Sequence, residues 1–394
     1  MSNLIVLPWS PDLPGGVSVV SRNLTRVWNA AEVPTSILVS DWSSRRLRVD
    51  ASGTAFLKLA IIARSSIIGL LKGALSAPLI LWRTLSMLKK LQVGTVYFHY
   101  TNLDAVGIAL LRRLNLFQGS LVLCFHGTDV RKPKNRLESW LWNFVFDAAD
   151  VVTACSHSLA RSVEATFGLP EGRVGAVYNG VDMTIFSQAS RTQAGAGGGF
   201  DTLFQRYVVS VGGFIERKGH IYLLEAFAQV SHRFPGLGLI IVGMDGKQRA
   251  LLEERVDALG LQESVRFLVN LQPRQVAEVV ARATLCVQPS LAEPFGMAVT
   301  EAGALGVCVA ASEVGGHLEL IAHRQTGLLF APADAGAIAA VLLEVLSDDA
   351  LRTQVAENFR VKVTSTLTWE ACADRYQRLA CSNRGELRET LETS

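Results

Sequence analysis

Two carboxylates eight positions apart stand out among the side chains able to do chemistry: Glu293, which opens Glu293-Pro294-Phe295-Gly296, and Glu301. The preceding run, Ala283–Ser290, is largely apolar and reads as a buried strand ending in a turn. Met297–Leu305 reads as the start of a helix. A strand-to-helix turn leaves the first N–H groups of the helix unpaired at the positive end of its dipole, which suits a phosphate. A Glu just before that turn and another two turns into the helix can both accept hydroxyls. A diphosphate beside hydroxyl acceptors describes a nucleotide-sugar site.

Other segments add to this chemistry. In Gly212-Gly213-Phe214-Ile215-Glu216-Arg217-Lys218-Gly219, Lys218 or Arg217 stands close to glycine backbone and can neutralise a diphosphate; a plain basic loop before a helix is the alternative. Pro14-Gly15-Gly16 separates the first strand from a helix at Val17–Ala30, and its glycines let backbone N–H groups approach a phosphate, although a turn alone also explains them. His126-Gly127-Thr128-Asp129 follows the strand Ser120–Phe125. A His at the carboxyl end of a parallel strand points into the crevice where doubly wound folds bind ligands, the alternative being a ring packed against its own loop. Val242-Gly243-Met244-Asp245-Gly246 reads as a structural turn, and Gly315-Gly316-His317-Leu318-Glu319 as a loop opening a helix with N–H groups free for a ligand. No His/Cys/Asp/Glu cluster has metal-ligand spacing, and no Ser-His-Asp set or GxSxG elbow is present. The C-terminal half lacks the aromatic-basic interleaving of a nucleic-acid binder.

These residues need strands to hold them. Leu4–Leu7, Ser36–Val39, Val93–Phe98, Ser120–Phe125, Val151–Cys155 and Arg173–Tyr178 form one series of apolar runs. Tyr207–Val211, Leu237–Val242, Ser264–Leu268, Leu285–Gln288 and Val307–Ala310 form a second. Uninterrupted runs of this kind are buried on both faces, as in parallel sheets covered by helices, and their alternation with helical patterns predicts two doubly wound α/β sheets. Ser187–Phe200, small, polar and glycine-rich, marks the break between them. The expected division is residues 1–186, a linker at 187–205, a second domain at 206–366 and a closing segment at 367–394.

Length and composition agree. The 394 residues are 49% hydrophobic and 19% charged, enough for two cores. The net charge of +3 is unevenly spread, with 17 basic against 9 acidic residues in 1–150 and 21 against 26 in the rest. Residues 51–103 hold six basic side chains (Lys58, Arg64, Lys72, Arg83, Lys89 and Lys90) and no acidic one. This pattern predicts two basic amphipathic helices, broken near Pro78, with segment 51–92 able to lie on an anionic membrane. Helices packed on the first sheet are the alternative. Charge-free runs there, such as Gly73–Trp82, fall far short of the ~20 residues of a spanning helix. The six cysteines have no paired spacing and read as buried thiols of a reducing compartment, and the first residues lack the features of a signal peptide, so a cytoplasmic location is expected.

Taken together the chain resembles the retaining glycosyltransferases of the GT-B fold, family 4 type. Glu293-Pro294-Phe295-Gly296 with Glu301 is similar to that family's E-x7-E element. Asn179-Gly180-Val181-Asp182, Val211-Gly212-Gly213 with Lys218-Gly219, Val314-Gly315-Gly316 with Glu319-Leu320-Ile321, Thr326-Gly327-Leu328-Leu329 and Thr368-Trp369-Glu370 resemble its other segments in the same order. The resemblance implies two Rossmann-like domains and a final helix that crosses back to the first.

It also implies roles. Lys218 holds the donor diphosphate, aided by Arg217; Glu301 accepts the ribose hydroxyls; Glu293 contacts hydroxyls of the donor sugar, with Phe295, Gly296 and Met297 around sugar and phosphate. His126 touches the sugar near the reacting carbon, Gly15 and Gly16 approach the phosphate, and Asn270 stands near the nucleobase where the family usually has Gly. Gly213 occupies a position where many members carry Arg. The donor is a nucleotide-diphosphate sugar and the acceptor a glycan or lipid-linked intermediate of cell-surface polysaccharide or lipopolysaccharide synthesis, with no cofactor or metal. A weakened nucleotide-sugar-binding subunit, and an epimerase or phosphorylase on the same fold, are the alternatives.

Overall fold

The computed structural model describes residues 2–44, 46–61, 67–187 and 204–381, with backbone alone at 67–74. Most of the expected linker therefore lies outside the described residues, as do Arg64 and the side chain of Lys72. The chain forms two compact units, Met1–Gly180 with Trp369–Ser394, and Val181–Thr368.

The first unit begins β1 (Ser2–Leu7), α1 (Gly16–Ala30), β2 (Thr35–Ser40), β3 (Arg48–Val49), β4 (Ala55–Leu57) and α2 (Ile67–Lys90). It continues with β5 (Val93–His99), α3 (Ala105–Arg113), β6 (Ser120–Phe125), α4 (Arg136–Ala148), β7 (Val151–Ala154), α5 (His157–Phe167) and β8 (Val174–Ala176). Its eight-stranded sheet runs β3-β4-β2-β1-β5-β6-β7-β8, parallel except for the β3–β4 pair. The apolar runs explain the centre: Leu4 to Leu7 and Leu121 to Phe125 are buried, as expected of strands covered on both faces. The chain leaves β1 toward β2 on one side and the later strands lie on the other. The loops after β1, β5 and β6 thus open at the carboxyl edge beside the switch point, where such sheets bind ligands.

The segment after residue 50 differs from its expected pair of helices. Ala55–Leu57 is a strand paired with β2, Lys58 follows it in extended chain with its ammonium 5.0 Å from the Trp42 ring, and one helix, α2, runs through Pro78. The apolar run Ala55-Phe56-Leu57 satisfies a short strand between β3 and β2 as well as a helix face. Pro78 is exposed, where water can reach the carbonyl that loses its N–H partner.

The second unit comprises β9 (Arg206–Val211), α6 (His220–Val230), β10 (Leu237–Gly243), α7 (Arg249–Ala258), β11 (Val265–Val269), α8 (Pro273–Ala281) and β12 (Leu285–Gln288). It ends with α9 (Met297–Ala304), β13 (Val309–Ser312), α10 (His317–Leu320), β14 (Leu328–Phe330), α11 (Ala335–Ser347) and α12 (Asp349–Thr366). All six strands are parallel in the order β11-β10-β9-β12-β13-β14. Asp334 and Asp348 cap α11 and α12 by accepting from Ala337 and Leu351 N–H groups. The switch point lies between β9 and β12, which pair only at Leu285 with Val208 and Cys286 with Val209. Beyond them the Gln288 amide, oriented to satisfy both groups, bonds the N–H and C=O of Val211 at 3.0 Å each.

The last helix, α13 (Trp369–Cys381), belongs to the first unit. Trp28 of α1 donates to the Ala373 carbonyl at 3.3 Å, and its ring lies 4.8 Å from Tyr97 and 6.4 Å from Tyr376. These three buried aromatics fix α13 against α1 and β5. Five cysteines are buried, but Cys381 is exposed, because it sits on the final turn of this helix.

Candidate active site

In the second unit the residues meet at the carboxyl ends of β9 and β12. After β9 the chain passes Gly212 and Gly213 into a single turn, Glu216–Lys218, and Gly219 turns it into α6 with φ of 65°. A Cβ on Gly219 would stand 2.1 Å from the Pro289 carbonyl oxygen, and the Leu291 N–H donates to Arg217 O at 2.7 Å. The two loops are thereby locked together, and no other residue fits position 219. The methylenes of Lys218 lie over Gly212, so close that a Cβ there would be 3.0 Å from Cδ. Its Nζ reaches Glu293 Oε2 at 2.6 Å, and Ser290 donates to the same oxygen at 3.2 Å. Burial is the largest influence on Glu293 and opposes its charge, but Lys218, His317 and Arg217 together outweigh it and hold the carboxyl below its ordinary range.

Gly296 adopts φ of 118° and starts α9 without a side-chain cap, so Met297 and the residues after it present the first N–H groups of the helix. A Cβ on Gly296 would press on His317 at 3.0 Å. Phe295 is buried and anchors the turn. Glu301 lies one turn into α9, and burial, then the charge of Asp182, pushes its carboxyl up to about 8. At neutral pH it is therefore largely protonated and able to donate as well as accept.

Asn270 stands at the end of β11 with φ of 57°, which explains why glycine suits this position and why Asn is tolerated. Its N–H donates to Gly243 O, and its Oδ1 accepts from the Asp245 N–H. Gly243 is structural, since a Cβ would lie 2.0 Å from Gly212 O. Gly213 is different: the nearest atom to an added Cβ is Met244 O at 3.8 Å, so a side chain has room.

One expectation is corrected. In the Gly315-Gly316 loop two of the N–H groups expected to be free for a ligand are engaged, Gly316 donating to Glu293 O at 2.9 Å and His317 N–H to Val314 O at 3.0 Å. A Cβ on Gly315 or Gly316 would lie 2.1 Å from Glu293 O or 2.2 Å from Phe295 O. These glycines clamp the 293–296 turn, and α10, four residues long, follows.

In the first unit Gly15, with φ of 149°, leads into α1 without a side-chain cap, and the space above Gly15 and Gly16 is open. His126 follows β6. Its N–H and that of Gly127 both donate to the Asp129 carboxylate, at 3.0 and 2.7 Å, which fixes the loop. Its ring lies 5.1 Å from that of His99, with 2.9 Å between His126 Nε2 and His99 Nδ1. Burial holds His126 down at about 4 and His99 well below its ordinary value, so both imidazoles are neutral.

Residues 203–362 match the family described as Glycosyl transferases group 1, and residues 14–184 match Glycosyltransferase Family 4. The chain is 29% identical to glycogen synthase of Mycobacterium tuberculosis over 237 residues, 60% of this chain and 54% of that one, so it spans about half the length of this relative. It is 30% identical to the alpha-maltose-1-phosphate synthase of Mycolicibacterium smegmatis over 277 residues, 66% of this chain and 70% of that one. The chain belongs to the group 1 glycosyltransferases. A solved structure with this fold is HepE of Anabaena in complex with UDP-glucose, with TM-score 0.70 and 18% identity over 97% of this chain and 100% of that one.

Within this group 1 glycosyltransferase fold, Arg217, Lys218, Glu293, Phe295, Gly296, Met297 and Glu301 come together around one switch point. Gly15, Gly16 and His126 lie at the other sheet's carboxyl edge. Three histidines at these sites take structural parts; of these the sequence motifs include only His317 and assign it no role. His220 bridges Ser210 Oγ and Gly212 O at 3.3 and 3.2 Å, His317 lies beneath Gly296 with Nδ1 3.1 Å from Ser312 O, and His99 meets His126. For His99 the signal was its place at the end of an apolar strand beside that of His126. For the other two, only the partners reveal the role.

Proposed function

We propose that this chain transfers a sugar from a nucleoside-diphosphate sugar to a glycan or lipid-linked acceptor, with retention at the anomeric carbon, in the synthesis of cell-surface polysaccharide or lipopolysaccharide. The observation that carries the reading is the Lys218–Glu293 ion pair beside the uncapped start of α9. A donor diphosphate entering there offers Lys218 a stronger partner, and Arg217 and the helix N-terminus share the charge. Glu293, released, accepts a hydroxyl of the sugar. Glu301 bonds the ribose hydroxyls and Asn270 borders the base.

On the same face of the sugar, the bond from its anomeric carbon to the diphosphate oxygen breaks as the acceptor oxygen bonds to that carbon. The acceptor's proton passes to the departing diphosphate. Lys218 and the helix dipole stabilise the developing negative charge, the step in which fixed charges contribute most. No metal has a part in this scheme. HepE, a structural neighbour, is known bound to UDP-glucose, which makes uridine diphosphate sugars the first donors to try.

Part of α2 supports an acceptor held at a membrane. Leu75, Leu79 and Trp82 are 89%, 48% and 64% exposed and fall on one helical face with Lys89. An apolar stripe flanked by lysines suits an anionic lipid surface. Among the described residues, no helix is long and apolar enough to cross a membrane.

The test is a thermal-shift screen against UDP-, GDP- and ADP-sugars. A ligand at 100 times its Kd stabilises the fold by ~2.7 kcal/mol. One nucleotide family raising the midpoint, with Glu301→Ala silent, supports the donor site, and NMR of the product's anomeric configuration tests retention. No shift from any sugar would sink the proposal. It would favour a degenerate copy serving as a scaffold, a reading whose basis is Gly213 in place of a cation. A new sugar formed without acceptor would instead indicate an epimerase.

A further inference from the structure

His99 and His126 share one hydrogen bond between neutral rings, from Nδ1 of the first to Nε2 of the second at 2.9 Å. Only one of those two nitrogens carries the proton. The choice is made at the other end of His99. That residue is 0% exposed, and its Nε2 is buried without a hydrogen-bond partner among the described residues. If His126 donated from Nε2, His99 would have to carry its proton on its own Nε2, leaving an N–H buried without an acceptor. If His99 donates from Nδ1, what remains at its Nε2 is a bare lone pair. Orphaned buried N–H groups are rarer in folded proteins than acceptors left short of a partner, which favours the second arrangement.

The surroundings hold both rings in place. The two imidazoles meet edge to edge with their planes 26° apart, Tyr376 of α13 meets His99 at 67° with centroids 5.6 Å apart, and Asp129 grips the His126 and Gly127 N–H groups. We propose that His99 is a positioning residue that locks His126 in its Nδ1–H tautomer, so that His126 meets the substrate as a hydrogen-bond donor and not as a base. His126 Nδ1 has no hydrogen-bond partner among the described residues, so its proton is available to a substrate oxygen. This last step rests on the donor site proposed above. The tautomer itself does not.

The experiment is long-range 1H–15N correlation of the intact chain labelled with 15N-histidine. His126→Asn identifies the His126 signals among the seven histidines. The expected result is a protonated Nδ1 and an unprotonated Nε2 on both His99 and His126, with or without donor. An Nε2–H pattern on both would mean that His99 donates into the Tyr376 ring and would overturn the proposal. In His99→Phe the His126 pattern should shift toward Nε2–H, whereas His99→Asn, whose amide keeps a donor near the place of Nδ1, should preserve it. Should the transfer reaction be established, His99→Phe should lower kcat by ~10²-fold, the cost of losing one preorganised donor, with KM for the nucleotide sugar little changed, and His99→Asn should recover most of it. An unaltered His126 pattern in a folded His99→Phe would also refute the assignment. Failure to bind any nucleotide sugar would remove the donor reading and leave the tautomer result standing.

Discussion

Lys218 Nζ and Glu293 Oε2 stand 2.6 Å apart, with both side chains largely shielded from water, although 75 residues separate them in the chain. The pair stores the positive charge of the site against an internal partner until a diphosphate takes its place. Replacing Lys218 by Met should leave Glu293 buried without a counter-charge, lowering the melting midpoint and reducing transfer by ~10²–10³-fold. Activity assays beside melting curves check this; full activity in Lys218→Met would refute the role.

The same pair sets an acid response. The folded carboxyl of Glu293 titrates below its ordinary value of 4.5, so its charge stabilises the fold above that pH and the benefit is lost as pH falls through the lower folded value. Between pH 5 and 3 the wild-type midpoint should therefore fall more steeply than that of the double variant Lys218→Met, Glu293→Gln. Parallel curves would show that the pair contributes nothing.

Glu301 responds in the opposite sense. Its folded value of about 8 lies above the ordinary 4.5, so the folded chain holds a proton that the unfolded chain has released. Stability of the donor-free protein should decline from pH 5 to 8, and Glu301→Gln should flatten that decline. Calorimetry across this range reads the difference.

Gly213 has space for a side chain, and an Arg there would bring a second cation to the diphosphate site. Gly213→Arg should fold normally and tighten UDP binding roughly 10- to 100-fold, the equivalent of ~1.5–3 kcal/mol for a bond to a charged group. Titration calorimetry distinguishes this from an unchanged Kd, which would place the diphosphate elsewhere.

Gly316 has ordinary φ, so a substitution there tests packing alone. Its added Cβ would meet Phe295 O at 2.2 Å. Gly316→Ala should cost about 1–3 kcal/mol, as overpacked sites do, and weaken donor binding by moving Glu293. Denaturant melts and a binding titration check both effects.

The exposed stripe on α2 predicts membrane binding. Wild-type protein should float with vesicles containing phosphatidylglycerol, and the double variant Leu79→Asp, Trp82→Glu should not, while keeping its melting midpoint. Equal flotation of both proteins would remove the stripe from the membrane reading.

The longer strands of both sheets were legible because runs such as Leu4–Leu7 and Leu285–Gln288 are apolar on both faces and recur between helical patterns, as in a covered parallel sheet. The turn at Glu293–Gly296, the glycines beside Lys218 and the His after β6 were legible for a related reason: their chemistry depends on a place at a strand's end, which sequence order determines. The short strands β3, β4 and β14 and the unbroken α2 were not, since two or three paired residues leave no periodicity and an exposed proline need not end a helix. Partnerships were decided by the tertiary structure alone. The strand order puts β9 beside β12 and β5 beside β6, and this brings Lys218 to Glu293 and His99 to His126. The close approach of Gly316 to Phe295 belongs to the same class. A sequence states which side chains stand at the ends of its strands; only the sheet, by choosing neighbours, determines which of them touch.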